Sequence, residues 1–309
     1  GNPASGSWLR LVGTGRSVLD RQAAGGSACC LRIRQDCTRV EGLSFRQAGV
    51  GIEIVAETCR NARLEGVTVS DLSDAGIVIQ PDPADGGVDT YAIRNTLIYN
   101  TRNGILIQSG EGFHRANVTV ENTTISAFNG VGVACGGAAG GTVLRHSILA
   151  VKGAGACLSV AREGALAHSE FNNLYPYGGA RLAVFAAEDA TRLIDTLAAW
   201  RSETGFDRFS LSRDPLFVHP DAGDFHLRSR GGSLHDGEWV ADWATSPCVD
   251  AGDPAAPPGD ESEPNGNRLN LGAYGGTAAA SRSEAGRILA LVAPLPGESS
   301  AGGVRVAWS

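Results

Sequence analysis

One phrase of sequence is written six times in this chain. "VEGLSFRQAGVGIEI" starts at Val40, "LEGVTVSDLSDAGIVI" at Leu64, "IRNTLIYNTRNGILI" at Ile93, "VENTTISAFNGVGVA" at Val120 and "LRHSILAVKGAGACL" at Leu144. A worn sixth copy, "AHSEFNNLYPYGG", starts at Ala167. The starts lie 24, 29, 27, 24 and 23 residues apart. A period in the twenties specifies a stack of like units, because one unit of that length cannot bury its own apolar face.

Leucine-rich repeats share this period, but they need a Leu-x-x-Leu-x-Leu frame. These copies instead place Val, Ile and Thr at alternate positions, with Gly and Asn at the corners. Alternation means strands with one buried face. Val40, Leu43 and Phe45 point inward by this rule, as do Leu64, Val67 and Val69, then Ile93, Thr96 and Ile98, then Val120, Thr123 and Ile125. The pairs Ile52 and Ile54, Ile77 and Ile79, and Ile105 and Ile107 form a second inward face. The connections are too short for helices. The fold class is therefore all-β: a right-handed parallel β-helix of about seven to nine coils, with a short helix and an irregular C-terminal cap.

One corner column reads Gly42, Gly66, Asn95, Asn122 and His146. Gly suits a left-handed backbone there, and stacked Asn side chains would bond one another up the column. Asn95 and Asn122 are accordingly structural. The preceding column, Glu41, Glu65, Arg94, Glu121 and Arg145, should face solvent with partly alternating charge.

Beyond the coils, "DATRLIDTLAAWRSETG" (189–205) carries Leu193, Leu197 and Trp200 at helical spacing, with Gly205 as a stop. The irregular region after it is the expected cap, since an open solenoid end invites edge-to-edge association. From about Arg287, "LVAPLPGESSAGGVRVAWS" reads as two strands of a truncated β-sandwich. The expected division is residues 1–285 as the β-helix with its cap and 286–309 as a linker plus the start of an Ig-like or fibronectin-like module. The tail should be cut first by protease, near Gly297–Gly303.

The chain of 309 residues has no Met, so it reads as a mature product or a fragment. Arg supplies all but one of the 26 basic residues, the exception being Lys152, in an exposed turn. A net charge of −7 and the lack of a basic stripe argue against a nucleic-acid partner. No apolar run is long enough for membrane insertion. Seven Cys is an odd number. Cys135 and Cys157 are expected to stack inside, and Cys37 and Cys59 have a spacing that could bridge adjacent turns. The simpler reading is that most are small buried residues.

The stretch from about Trp8 to Thr277 resembles the right-handed parallel β-helix repeat proteins of the pectate-lyase-like superfamily. The segment "LAAWRSETGFDRFSLSRDPLFVHPDAGDFHLRS", with "SPCVDAGDP" and "EPNGNRLNLGAYGGT", looks like the closing part of large secreted or surface bacterial members. Such members often continue into further C-terminal domains. The resemblance implies an extracellular location and contact with polysaccharide or another glycan. It does not establish chemistry. The hydrolase motifs Asn-Thr-Asp, Asp-Asp and Gly-His-Gly are absent, as is the epimerase motif Asp-Pro-His.

Two groups of residues could carry chemistry. Loops between coils would bring Asp82, Asp85 and Asp89 beside Glu111, His114 and Arg115, with Glu57 and Arg60 one coil below. Carboxylates for a hard cation, a His and an Arg are the parts of a Ca²⁺-dependent lyase acting on uronate glycans. The competing reading is a solvated, turn-rich rim. The second group is Asp250, Asp253, Asp260, Glu261 and Glu263, which crowd oxygen donors that would suit Ca²⁺ unless Arg268 and Asx-turns hold the loop instead. Between these readings, a non-catalytic glycan-contacting or scaffold domain is favoured, with the lyase as the alternative.

Overall fold

A computed structural model describes residues 8–20, 28–80, 88–108, 115–136, 141–187 and 190–284. Its strands stack in levels. The first holds β1 (Leu9–Asp20) and β2 (Cys29–Ile33), the second the long β3 (Thr38–Val55), and the third β4 (Asn61–Glu65) and β5 (Thr68–Gln80). The fourth holds β6 (Val88–Arg94), β7 (Leu97–Thr101) and β8 (Asn103–Ile107). The fifth holds β9 (Arg115–Glu121), β10 (Thr124–Phe128) and β11 (Val131–Cys135). The sixth holds β12 (Thr142–Arg145), β13 (Ile148–Lys152) and β14 (Ala156–Val160). The seventh holds β15 (Leu166–Glu170), β16 (Asn173–Tyr177) and β17 (Arg181–Ala186). From first level to last the chain climbs about six turns, at the short end of the expected range.

Every pairing among β1 to β17 is parallel, for example β7 with β10, β10 with β13 and β13 with β16. In register, Val69, Ile98, Ile125, Leu149 and Leu174 form one inward column, all fully buried. The inward residues read from alternation are buried, except Leu43, which is half-buried. The charged column pairs as expected: Arg94 and Arg145 both reach Glu121, at 3.1 and 2.9 Å.

The corner column is left-handed throughout, with φ of 60° at Gly42, 61° at Gly66, 45° at Asn95, 46° at Asn122 and 52° at His146. The Asn side chains, however, do not bond one another. Asn95 Nδ2 donates to the carbonyls of Ala273 and Gly275, and Asn122 Nδ2 to that of Asn270. His146 Nε2 accepts from the Asp253 amide at 3.2 Å. The column is used to dock a distant segment.

The second corner needs glycine for space. A Cβ on Gly104 would lie 2.4 Å from the Gly132 carbonyl oxygen and 2.5 Å from Ile125 Cγ2. Cys157 takes the place that Gly132 holds one level below, whereas Cys135 pairs with Val160. Cys135 and Cys157 are thus both buried but do not stack on each other. All seven Cys are free thiols, so Cys37 and Cys59 form no bridge.

The far end is closed by β18 (Thr191–Ile194), antiparallel to β17, and by α1 (Leu197–Thr204). Thr196 caps α1 and Gly205 ends it at φ 74°. Leu193 lies exposed on β18, so the helix begins later than its spacing suggested. Trp200 is fully buried, and its Nε1 donates to Asp207 Oδ2 at 2.9 Å.

The rest is not an end cap. Residues 206–284 form a strap that runs back along the outside of the solenoid. It contains the antiparallel pairs β19 (Phe217–His219) with β20 (Asp224–Leu227) and β21 (Ser233–His235) with β22 (Glu238–Val240). Asn173 fixes it at level seven through Arg213, His146 at level six, Asn122 and Thr124 at level five, and Asn95 at level four. Two small apolar clusters seal the seam, one of Ile148 with Leu227, Cys248, Val249 and Leu271, the other of Leu97 with Phe225 and Ala273.

Candidate binding groove

The strap covers only the corner side of the sheet formed by β7, β10, β13 and β16. The remaining outward positions are open. Side chains alternate across a strand, so Tyr99, Ser126, Ala150 and Tyr175 form one outward column in register. Phe128, Lys152 and Tyr177 form the next. Tyr175 and Tyr177 share a face two residues apart, and their rings stack with centroids 5.1 Å apart and planes 13° apart.

Two hollows of about 450 and 560 Å³ lie over these columns and share Ser126, Tyr177 and Pro220. Together they make one groove with the sheet as floor and the strap as wall. Phe225 packs on Tyr99 at 5.1 Å. Trp243 stands 69% exposed at the rim, with the Arg228 guanidinium 5.5 Å from its ring centre. Arg228 also donates to the carbonyls of Phe217 and Val218, so it braces the wall.

Polar groups punctuate the aromatic floor. Asp71 accepts from Asn100 Nδ2 at 2.5 Å and from Ser70 Oγ at 3.0 Å. Asp214 and Asp221 come from the strap, and Lys152 from the end of β13. Burial, Tyr175 and the carboxylates of Asp214 and Asp221 raise the pKa of Tyr177, which keeps its hydroxyl protonated as a donor. Flat apolar faces beside a few placed donors and acceptors are the makeup of a site for an amphipathic ligand. No His or Cys lines either hollow.

A larger hollow of about 720 Å³ lies at the solenoid end, bordered by Leu166, Phe185, Trp200 and the Arg192–Glu203 ion pair. We favour the groove as the binding site. The end hollow is walled by the residues that seal the last level, and Trp200 there is buried.

Of the loop row read from sequence, Asp82, Asp85, Glu111 and His114 lie outside the described residues. Arg115 opens β9 opposite Val88, and its side chain also lies outside them. Asp89 lies on β6 and is buried, close enough to Tyr91 to help burial raise that phenol's pKa. Glu57 and Arg60 are exposed.

The acidic loop is part of the strap. Asp250 accepts from Ser283 Oγ at 2.7 Å, Asp253 from the Ala255 amide and Glu263 from the Asn265 amide. Asp260 is exposed. Glu261 is buried, its Oε1 accepting the amides of Asn270 and Gly276, both at 2.8 Å, while Oε2 has no hydrogen-bond partner. Burial and the neighbouring Asp250 push its carboxyl up to about 7. Arg268 donates to the Gly252 carbonyl. Among the described residues, no three His, Cys, Asp or Glu side chains converge as a metal-ligand group.

Ser233, His235 and Asp242 also meet, but not as a nucleophilic triad. Ser233 Oγ and Asp242 Oδ1 both approach the same ring nitrogen, His235 Nε2, at 2.9 and 3.2 Å, and Ser233 is fully buried. A triad needs the acid on the opposite nitrogen and an accessible hydroxyl.

The stacked parallel levels define a right-handed parallel β-helix. A family model described as right handed beta helix region matches residues 25–187, more than half of the sequence, and the chain belongs to that family. A second family model, described as disaggregatase related, matches residues 203–252, from the end of α1 into the strap. No curated protein and no solved structure matches the chain. The groove residues were missed in the sequence because they sit 24–29 residues apart and the wall comes from elsewhere. Outward Tyr at equivalent repeat positions was the signal available.

Proposed function

We propose that this β-helix is a non-catalytic module of a larger extracellular protein and that it holds glycan in the groove between sheet and strap. The observation that carries this reading is the stacked Tyr175–Tyr177 pair on the groove floor, with Trp243 at the rim. Sugar rings present one apolar face and a rim of hydroxyls, which suits aromatic platforms flanked by Asp71, Asn100 and Lys152. The extracellular placement rests on the resemblance of the closing segment. The buried thiols are compatible with it: burial pushes Cys135 up to about 11 and Cys59 and Cys248 up to about 12, which keeps them as unreactive thiols.

The test is a glycan panel read for binding and for unsaturated-uronate absorbance, with and without EDTA. Binding that Tyr177→Ala and Trp243→Ala each weaken at least about tenfold, or about 1.4 kcal/mol, supports the groove. Absorbance that grows with time and is abolished by EDTA would replace this reading with a Ca²⁺-dependent lyase.

A further inference from the structure

We propose, resting on the glycan reading, that the groove selects a neutral chain over a polyuronate and holds it along the solenoid axis over about four sugar rings, given the rise of about 4.8 Å per level. The lining runs from Asp71 on level three to Tyr177 on level seven. Those four steps span about 19 Å. Across the strands the floor is only the two outward columns, about 7 Å wide. A groove nearly three times longer than wide aligns a linear ligand with the axis.

Charge sets the selectivity. Asp71, Asp214 and Asp221 line the groove from both its floor and its wall. Against them stands Lys152, because the Arg228 guanidinium is engaged by two backbone carbonyls and lies against Trp243. A polyuronate carries a negative charge on every ring and would bring several of them against three carboxylates. Like charges brought together suppress a wrong partner. Neutral hydroxyls instead find carboxylate acceptors.

Titration calorimetry on the whole chain tests this with cello-, xylo-, manno- and laminari-oligosaccharides of two to six rings. Oligogalacturonides and oligoalginates of equal length serve as comparison, all at low salt. At least one neutral series should bind, gaining affinity up to four rings and little beyond. Uronates should bind at least about tenfold more weakly, and Asp214→Asn with Asp221→Asn should narrow that gap. A circular-dichroism melt confirms that the variant is folded. Uronates binding as tightly as neutral chains would overturn the selectivity and leave the glycan reading standing. Affinity that levels off at two rings, or still climbs steeply at six, would overturn the axial placement. No binding by any series, neutral or acidic, would sink the glycan reading itself.

Discussion

In the solenoid, a residue's place is set by its counterpart one level away. In the strap, it is set by one polar side chain reaching from a distant part of the sequence. Ile125 is held between Ile98 and Leu149 and is interchangeable in kind with either. Asn270 has no counterpart. Its side chain accepts the Asp250 amide at 2.7 Å and donates to the Ser281 carbonyl at 2.7 Å, its own amide binds Glu261, and its carbonyl takes Asn122. Periodic structure spreads specification over many weak, repeated contacts. Aperiodic structure concentrates it, so single changes should cost more in the strap and its junction than at the solenoid's open corners.

The largest effect is expected at the junction. Trp200→Ala empties a fully buried site, removes the bond to Asp207 and uncovers the last level, costing about 3–5 kcal/mol. Thermal melts should drop steeply, and light scattering should show association through the bared end. A monodisperse variant of near-normal stability would mean that α1 is not the seal.

Next comes Asn270→Ala, which strands two buried backbone groups for about 2–4 kcal/mol. Limited proteolysis should then cut within residues 206–284 and spare the coils. Simultaneous loss of both regions would break the distinction, making strap and solenoid one cooperative unit.

Glu261 should give the strap a pH dependence. Its pKa rises from 4.5 to about 7 in the fold. Below 4.5 the carboxyl is protonated folded or unfolded and imposes no penalty. Between 4.5 and 7 only the unfolded chain releases the proton readily, so stability falls as pH rises. Above 7 the full penalty, about 2–3 kcal/mol, is in force. Urea midpoints measured across this range should lose that slope in Glu261→Gln. An unchanged slope would assign it to other groups.

The smallest effects sharpen the comparison within one column. Gly66 has only the Gly42 amide nitrogen, at 3.9 Å, near a would-be Cβ. Gly66→Asn should therefore stay within about 0.5 kcal/mol, since Asn tolerates the left-handed angle. Asn95→Gly keeps that angle but loses two bonds to the strap, costing about 1 kcal/mol or more. Equal costs in chemical denaturation would show that strap contact does not distinguish these corners.

The same contrast explains what could be read from the sequence. Coils, inward faces and left-handed corners were legible because each is restated at every level. The strap was not, because Asn95 meets Ala273 and Gly275 across 178 and 180 residues, with no local pattern to announce it. The corner Asn residues were correctly read as structural, but their partners were not. Leu193 was misassigned because three apolar residues at helical spacing cannot exclude a strand that pairs with β17. The groove escaped for both reasons at once, with a repeated floor and an unrepeated wall. Glu261 was picked out as an acidic donor, yet its burial depends on Asn270 and Gly276, which only the folded strap brings near.

The strap's anchor points fall on four successive levels, from Asn173 on the seventh down to Asn95 on the fourth. It therefore works as a length gauge. A whole coil gained or lost among the first three levels would leave every anchor aligned, so that part of the molecule is free to vary in height. A coil gained or lost between Asn95 and Asn173 would put the anchors out of step by about 4.8 Å. Domains of this design can grow from one end only.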